Sequence, residues 1–140
     1  MGTYEIEAAE GYDPDVIQSP GVTFKSILRE LFISGLPLNA HSNAYATSLR
    51  VKSGPGYLLG FTVYNSNAAA QFIQWHDKRN APVTGDVPCG FITVATVTDR
   101  EFYFNTPGRA FLQGIWLVNS STGPTYTAGG TDCFFDAQFI

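Results

Sequence analysis

The sequence predicts an all-β fold: an antiparallel β-sandwich or jelly-roll-like barrel, preceded by an irregular N-terminal arm. Roughly seven or eight segments of alternating, β-branched or aromatic side chains follow one another at short spacing, which is typical of sandwiches and jelly rolls. Clusters of Gly, Pro, Asn and Ser separate these segments, and no internal repeat or linker divides them. We therefore expect a sandwich domain over residues 44–140 and an arm over residues 1–43.

The strongest strand signal lies in residues 54–77, where a polar turn at residues 65–67 joins two strands. Successive side chains of a strand point to opposite faces of its sheet. In the second strand Ile73 and Trp75 share a face, between polar neighbours. Four residues of the first strand share an apolar face: Tyr57, Leu59, Phe61 and Val63. We expect these two apolar faces to line the core.

Further strands are predicted in residues 44–51, 91–98, 101–105, 111–118 and 131–140. Residues 91–98 are apolar on both faces, which favours a central strand or a strand that is covered on both sides. Gly114 interrupts the strand over residues 111–118 and indicates a bulge or a close approach of two backbones. The small, polar residues 119–130 are expected to protrude as a flexible loop.

The arm combines irregular sequence with scattered apolar side chains. Gly and Pro at residues 11–14 and 19–21 break regular structure. Apolar residues with helical spacing predict a short helix over residues 23–33, and a strand is the alternative. Termini are loose unless they are tied down, so such an arm can lie on its own domain or reach a neighbour.

The composition argues against one class of partner, nucleic acid. The net charge is −4, and the few basic residues are scattered, which argues against direct binding of nucleic acid. Charged residues make up 14% of the chain and aromatic residues another 14%. Such a composition fits an aromatic sandwich core and also fits a surface that partners cover. The sequence leaves both interpretations open.

No targeting or membrane segment is expected. The N-terminus lacks the basic and apolar regions of a secretory signal, and Ile6 occupies the position where myristoylation requires Ser or Thr. No stretch has the length and hydrophobicity of a transmembrane helix. We expect synthesis in the cytoplasm and no membrane partner.

The residue types that carry chemistry are few and dispersed. Cys89 and Cys133 lack metal-ligand spacing, so free buried thiols are expected, and whether they pair is left open. Neither His41 nor His76 has a ligand partner at metal-binding spacing, and His76 is expected to be a surface histidine. The carboxylates lie mostly in the arm and turns, and Ser120 lacks a nucleophile-elbow motif. We therefore predict neither an enzyme nor a bound cofactor or metal.

A carbohydrate-binding module is the alternative that the residues themselves suggest. Such a module needs two or more exposed aromatic side chains in one plane on a β-sandwich. The strand pattern places Tyr57 and Trp75 in the core, whereas Tyr64 and Tyr126 occupy positions where exposure is expected. Trp116 adds a further aromatic side chain.

From Arg50 onward, the chain resembles small structural proteins of tailed bacteriophage particles. The resemblance is carried by Gly56-Tyr57-Leu58-Leu59-Gly60, Val63-Tyr64-Asn65, Ala70-Gln71-Phe72-Ile73-Gln74, Asp77, Val87-Pro88, Phe111, Gly114-Ile115, Asn119-Ser120-Ser121-Thr122 and Asp132-Cys133-Phe134-Phe135. These are mainly packing and turn residues. The resemblance implies a non-enzymatic virion component, most typically a capsid decoration (cement) protein on the capsid surface, with a compact sandwich that often trimerises.

The resemblance also implies partners. They would be the major capsid protein and, in a homotrimer, the chain itself. We expect apolar residues of the arm to reach the capsid or a sister subunit: Tyr4, Ile6, Tyr12, Phe24, Leu28, Leu31 and Phe32. Two rival functions are a tail or fibre accessory protein that binds host glycans and a free carbohydrate-binding module.

Overall fold

A computed structural model of the chain describes residues 35–140. These residues form nine strands and no helix: β1 (Leu38–His41), β2 (Ser48–Ser53), β3 (Gly56–Asn65), β4 (Gln71–Asp77), β5 (Gly90–Val94), β6 (Thr98–Tyr103), β7 (Arg109–Phe111), β8 (Gly114–Ser120) and β9 (Cys133–Phe139). The predicted all-β fold is confirmed. The helix predicted over residues 23–33 lies outside the described residues.

The strands form two antiparallel sheets that face each other as a β-sandwich. Sheet A has the order β1-β9-β3-β6, and β7 pairs with β3 beside β6. Sheet B has the order β2-β8-β4-β5. Most connections cross from one sheet to the other, and β4 and β5 are the sequence neighbours that pair directly. Because β1 pairs with β9, the sandwich begins before the expected boundary at residue 44.

The core lies between the two sheets and is rich in aromatic side chains. Trp75 is buried there, as predicted, and its ring stacks on Phe102 with centroids 5.2 Å apart. Phe61 and Phe104 contact the same indole at 5.8 and 5.4 Å. Aromatic packing of this kind contributes to stability beyond the area that it buries.

A β-bulge changes which side chains of β3 face the core. The register of β3 against β9 shifts between Leu58 and Gly60, and an extra residue in one strand reverses its alternation from that point. Leu58 is therefore buried, whereas Tyr57 is 41% exposed. Phe61, beyond the bulge, faces the core as predicted. The prediction that Tyr57 belongs to the core is wrong, because the period of two was extended across the bulge.

Asn65 fixes the crossover from β3 in sheet A to β4 in sheet B. Its buried amide Nδ2 donates to the carbonyl oxygens of Ala69, Val94 and Ala95 at 3.0, 3.3 and 3.0 Å. Its Oδ1 accepts the N–H of Asn67 at 2.9 Å. The predicted polar turn is confirmed, and this one side chain ties together the ends of two crossovers.

Two predicted strands are divided in the structure. The strand expected over residues 91–98 ends at Val94, and a turn at residues 95–97 leads into β6 in the other sheet. β5 is an edge strand of sheet B, so the first of the two predicted alternatives, a central strand, is wrong. The strand expected over residues 111–118 is split into β7 and β8. Gly114 lies against the carbonyl oxygen of Lys78, as expected for a close backbone approach.

The corner between β7 and β8 is held by a carboxylate. Asp77 accepts hydrogen bonds from the backbone N–H groups of Leu112, Gln113 and Gly114 at 2.9, 2.7 and 3.3 Å. Burial works to raise the pKa of Asp77, but these three hydrogen bonds together lower it. The corner therefore depends on an ionised Asp77.

Candidate functional site

Two loops, residues 78–89 and residues 121–132, cover the outer face of sheet B over β4, while Phe91 of β5 is 43% exposed on that face. Gln74 lies beneath them fully buried, and its Nε2 donates to the carbonyl oxygens of Thr122 and Gly123 at 2.9 Å. Tyr126 is also buried, and its backbone exchanges hydrogen bonds with the 78–89 loop at Gly85 and Asp86. The predictions of a protruding flexible loop and of an exposed Tyr126 are therefore wrong.

His76 is buried in the same layer. Its Nε2 donates to Oε1 of Gln74 at 2.9 Å, because Nε2 of Gln74 is already committed to loop carbonyls. Its ring packs edge-on against Tyr126, with centroids 5.7 Å apart. The prediction of a surface histidine is wrong. An outward position on a strand is exposed only where no loop folds over it.

Burial sets the electrostatics of this layer. Loss of contact with water lowers the pKa of His76 to about 4; the charge of Asp86 opposes this shift and that of Lys78 adds to it. Lys78 and Asp86 form an ion pair at the rim of the layer. His76 is therefore neutral at pH 7 and closed off by its neighbours, which indicates a structural role.

Within residues 35–140, by contrast, no element covers the outer face of sheet A. Strand register places its outward side chains in three rows across the sheet: Asp99, Tyr64 and Phe134; Glu101, Thr62, Asp136 and His41; Tyr103, Gly60, Gln138 and Asn39. Neighbouring strands lie about 4.8 Å apart, so side chains within one row are direct neighbours.

A depression of about 610 Å³ lies in this face. It is lined by Thr62, Tyr64, Val97, Thr98, Asp99, Phe134 and Asp136. Its size falls within the range of small-ligand sites, which is roughly 300–1,000 Å³. The floor is β3, and β6 and β9 supply the two sides.

Three rings at the edge of the depression form an aromatic cluster of Tyr45, Tyr64 and Phe134. Tyr45 is 52% exposed and Phe134 is 39% exposed. The ring of Tyr45 lies 6.4 Å from each of the other two rings, tilted 33° from Tyr64 and 88° from Phe134. Backbone hydrogen bonds between Ala46 and Cys133 hold the Tyr45 loop beside β9.

Sequence reasoning missed two members of this cluster. Tyr45 fell within the strand predicted over residues 44–51, whose polar and apolar residues are mixed and gave it no face, whereas β2 begins only at Ser48. Phe134 alternates with buried neighbours in β9, and this pattern placed it on the outer face without showing whether another element covers that face. Tyr64, for which exposure was expected, is half-buried.

Carboxylates give the depression a negative charge. Asp99, Glu101 and Asp136 are all exposed on this face, and none of the lining residues is basic. Asn39 donates to Oδ1 of Asp136 at 2.6 Å, which orients that carboxylate. The pKa of Tyr103 is raised, mainly because its hydroxyl donates a hydrogen bond to the carboxylate of Glu101. The site therefore combines aromatic rings with acceptor-only oxygens.

The described residues hold no group of three His, Cys, Asp or Glu side chains that could bind a metal ion. Cys89 and Cys133 are both free. Cys133 is buried, as predicted, and burial is the main cause that raises its pKa to about 12, with the charge of Asp132 adding to it. Cys89 is exposed, contrary to the prediction.

The arm residues predicted to bind a partner lie outside the described residues: Tyr4, Ile6, Tyr12, Phe24, Leu28, Leu31 and Phe32. No helix in the described part of the chain is long and apolar enough to cross a membrane. Comparison with protein-family models, curated proteins and solved structures found no match to this chain.

Proposed function

We propose that this chain is a non-enzymatic structural component of a phage virion, a capsid decoration protein that binds the assembled shell and stabilises it. The observation that carries the proposal is the difference between the two outer faces. Loops bury Gln74 and His76 on the outer face of sheet B, whereas the aromatic cluster of sheet A is exposed, among the described residues, around a depression. Exposed tyrosine and phenylalanine side chains are characteristic of protein interfaces, where they anchor the partner.

The residues that carry the resemblance to phage structural proteins support the proposal in a second way. Asn65 holds two crossovers, Asp77 fixes the corner between β7 and β8, and Gly114 allows a close backbone approach. The resemblance therefore concerns the residues that build the sandwich. The residues of the open face would then set which partner this sandwich binds.

The proposed mechanism is mass action. A protein that binds the assembled shell but not free capsid subunits stabilises the shell by RT ln(1 + [L]/Kd), about 2.7 kcal/mol per site at a hundredfold excess over Kd. In a homotrimer on a threefold axis, three copies bind together, and each weak contact counts three times. The major capsid protein is the proposed partner and the capsid surface the proposed location.

Two measurements test this function. Light scattering on a sizing column gives the solution mass, which we expect to be that of a trimer. Co-sedimentation with bare capsid shells, followed by thermal disruption of the shells, should show binding and a higher disruption temperature. A chain that does not sediment with shells and leaves their disruption temperature unchanged would refute the proposal.

The proposed role of the arm is tested separately. Deletion of residues 1–21 removes Tyr4, Ile6 and Tyr12 and none of the residues of the described sandwich. We expect this deletion to weaken capsid binding or trimerisation. Unchanged binding and unchanged solution mass would show that this part of the arm has no such role.

A second candidate function is recognition of host glycans, by a tail accessory protein or a free carbohydrate-binding module. The observation that favours it is the tilt of only 33° between Tyr45 and Tyr64, beside the hydroxyl of Thr62 and two carboxylates. Phe134 stands edge-on to Tyr45, so the three rings do not form one plane. Binding of the purified chain to a glycan array, lost in Tyr45→Ser, would favour this function.

A further inference from the structure

We propose that the depression in sheet A receives a positively charged side chain, Arg or Lys, from the partner protein. The inference rests on the proposed function, because it names the chemistry of the partner at the same face. Three features of the depression support it: its aromatic wall, the placement of its carboxylates and its position within a larger exposed surface.

The aromatic wall favours a cation. Tyr64 and Phe134 occupy neighbouring positions in one row of sheet A and both line the depression. The face of an aromatic ring attracts Arg and Lys side chains, with Arg used more often because its planar group also stacks. An aliphatic side chain would pack against these rings as well, so the rings alone do not set the charge of the occupant.

The carboxylates of the depression determine that its occupant is positively charged. Asp99 in β6 and Asp136 in β9 approach the depression from opposite sides of β3. Two strand spacings across the sheet and a step of two residues along it separate their backbones, about 12 Å, so the two carboxylates can reach an inserted group only from its opposite sides. The fork of a guanidinium has donors pointing in both directions. An anionic occupant would be repelled by both carboxylates.

No basic side chain of the described residues neutralises this pair in the depression. The nearest guanidinium in sequence, that of Arg100, donates to the carbonyl oxygen of Thr93 at 2.7 Å, on the strand β5 of the other sheet. Asp136 is bound by the neutral amide of Asn39. The negative charge of the depression is therefore complementary to a basic group on the partner.

The surroundings indicate a side chain of a protein rather than a free amine. Tyr45 and Tyr103 are 52% and 58% exposed on the same face as the depression. A bound small amine would leave these rings in water, whereas a protein surface that inserts one basic side chain would cover them. The occupant is thus the central anchor of an interface, with the tyrosines around it.

A titration of the full-length chain followed by NMR tests this inference. The ligand is Nα-acetyl-L-arginine amide, and the control ligand is its neutral isostere Nα-acetyl-L-citrulline amide. We expect the arginine derivative to shift the amide signals of Tyr64, Asp99 and Phe134 in a saturable way that weakens with added salt. Equal shifts from the citrulline derivative, or none from either, would overturn the inference. Preferential shifts from a neutral disaccharide would overturn it in favour of glycan binding.

Charge-neutral variants give a second test. In the double variant Asp99→Asn, Asp136→Asn we expect affinity for the arginine derivative to fall roughly tenfold, because two exposed charge-assisted contacts are lost. Glu101→Gln removes one charge from the same face but none from the lining, and we expect a smaller loss, because no carboxylate that contacts the inserted group is removed. Similar losses in both variants would show a general charge effect and would contradict a specific site.

Capsid co-sedimentation separates failure of this inference from failure of the proposed function. If the double Asp→Asn variant binds shells as the wild type does, the cation inference is wrong and the decoration function stands. If the arginine derivative binds the depression but the wild-type chain does not bind shells, the decoration function is wrong and the depression is a cation site for another protein.

Discussion

Acidification should destabilise this protein through His76 at a pH where most surface carboxylates are still ionised. The histidine is buried, and its pKa in the folded chain is about 4, against an ordinary value of 6.5. Between these two values the unfolded chain binds a proton at this position and the folded chain does not. The free energy of unfolding therefore falls as the pH decreases from 6.5, and this contribution is fully lost below pH 4.

The size of the effect follows from the difference between the two pKa values. A difference of about 2.5 units corresponds to about 3 kcal/mol, at 1.36 kcal/mol per unit. Folded proteins typically have a free energy of unfolding of about 5–15 kcal/mol, so a loss of this size is large. Protonation would place a positive charge beside Lys78 and beneath Tyr126, with Asp86 as the nearby carboxylate that opposes the repulsion.

Urea denaturation between pH 7.5 and pH 4, followed by tryptophan fluorescence, measures this contribution. His76→Gln keeps a donor for Gln74 but cannot be protonated, so its stability should fall less steeply with pH than that of the wild type. His41→Gln is the matched control, since His41 is exposed on β1. If His76→Gln shows the same pH dependence as the wild type, the reasoning is refuted, because the other titrating groups are common to both chains.

Three further changes should alter stability or binding. Asn65→Leu leaves three carbonyl oxygens at the crossovers without their donor, and we expect a loss of about 3 kcal/mol in urea denaturation; a loss below about 0.5 kcal/mol would contradict this. Asp77→Asn weakens three backbone hydrogen bonds by removing a charge, with an expected loss of about 2 kcal/mol at pH 7. Because the pKa of Asp77 is lowered, this difference from the wild type should shrink as acid protonates Asp77, and an unchanged difference at low pH would argue against the ionised corner. Gln74→Leu should release the 121–132 loop, seen as faster hydrogen exchange there, whereas unchanged exchange would mean that other contacts hold the loop.

The sequence was sufficient to predict the fold class because strand alternation and turn composition are local signals. Trp75 was placed correctly in the core for the same reason, since β4 has no irregularity between Ile73 and Trp75. Tyr57 was misplaced because a bulge lies between it and Phe61. A bulge changes which side chains of a strand face the core. In the local sequence only Gly60 marked this bulge, and the pattern of hydrophobic residues did not.

The site was harder to predict because exposure of a sheet face depends on distant segments. Gln74 and His76 point away from the core, yet the 78–89 loop that follows their strand and the 121–132 loop, which is distant in sequence, bury them. Phe134 also points away from the core, but no described element covers it. The same alternation therefore leads to side chains that loops bury on sheet B and to side chains of sheet A that no described element covers, and only the three-dimensional course of the loops distinguishes them.

The most direct test concerns the claim that the outer face of sheet A is the partner-binding surface. Phe134→Ser and Phe91→Ser form a matched pair, because the two side chains are 39% and 43% exposed and lie on opposite sheets. Co-sedimentation with bare capsid shells should show that Phe134→Ser weakens binding roughly tenfold or more, as expected for an interface anchor. Phe91→Ser should bind as the wild type does. Equal binding by Phe134→Ser and the wild type, or a loss confined to Phe91→Ser, would contradict the account.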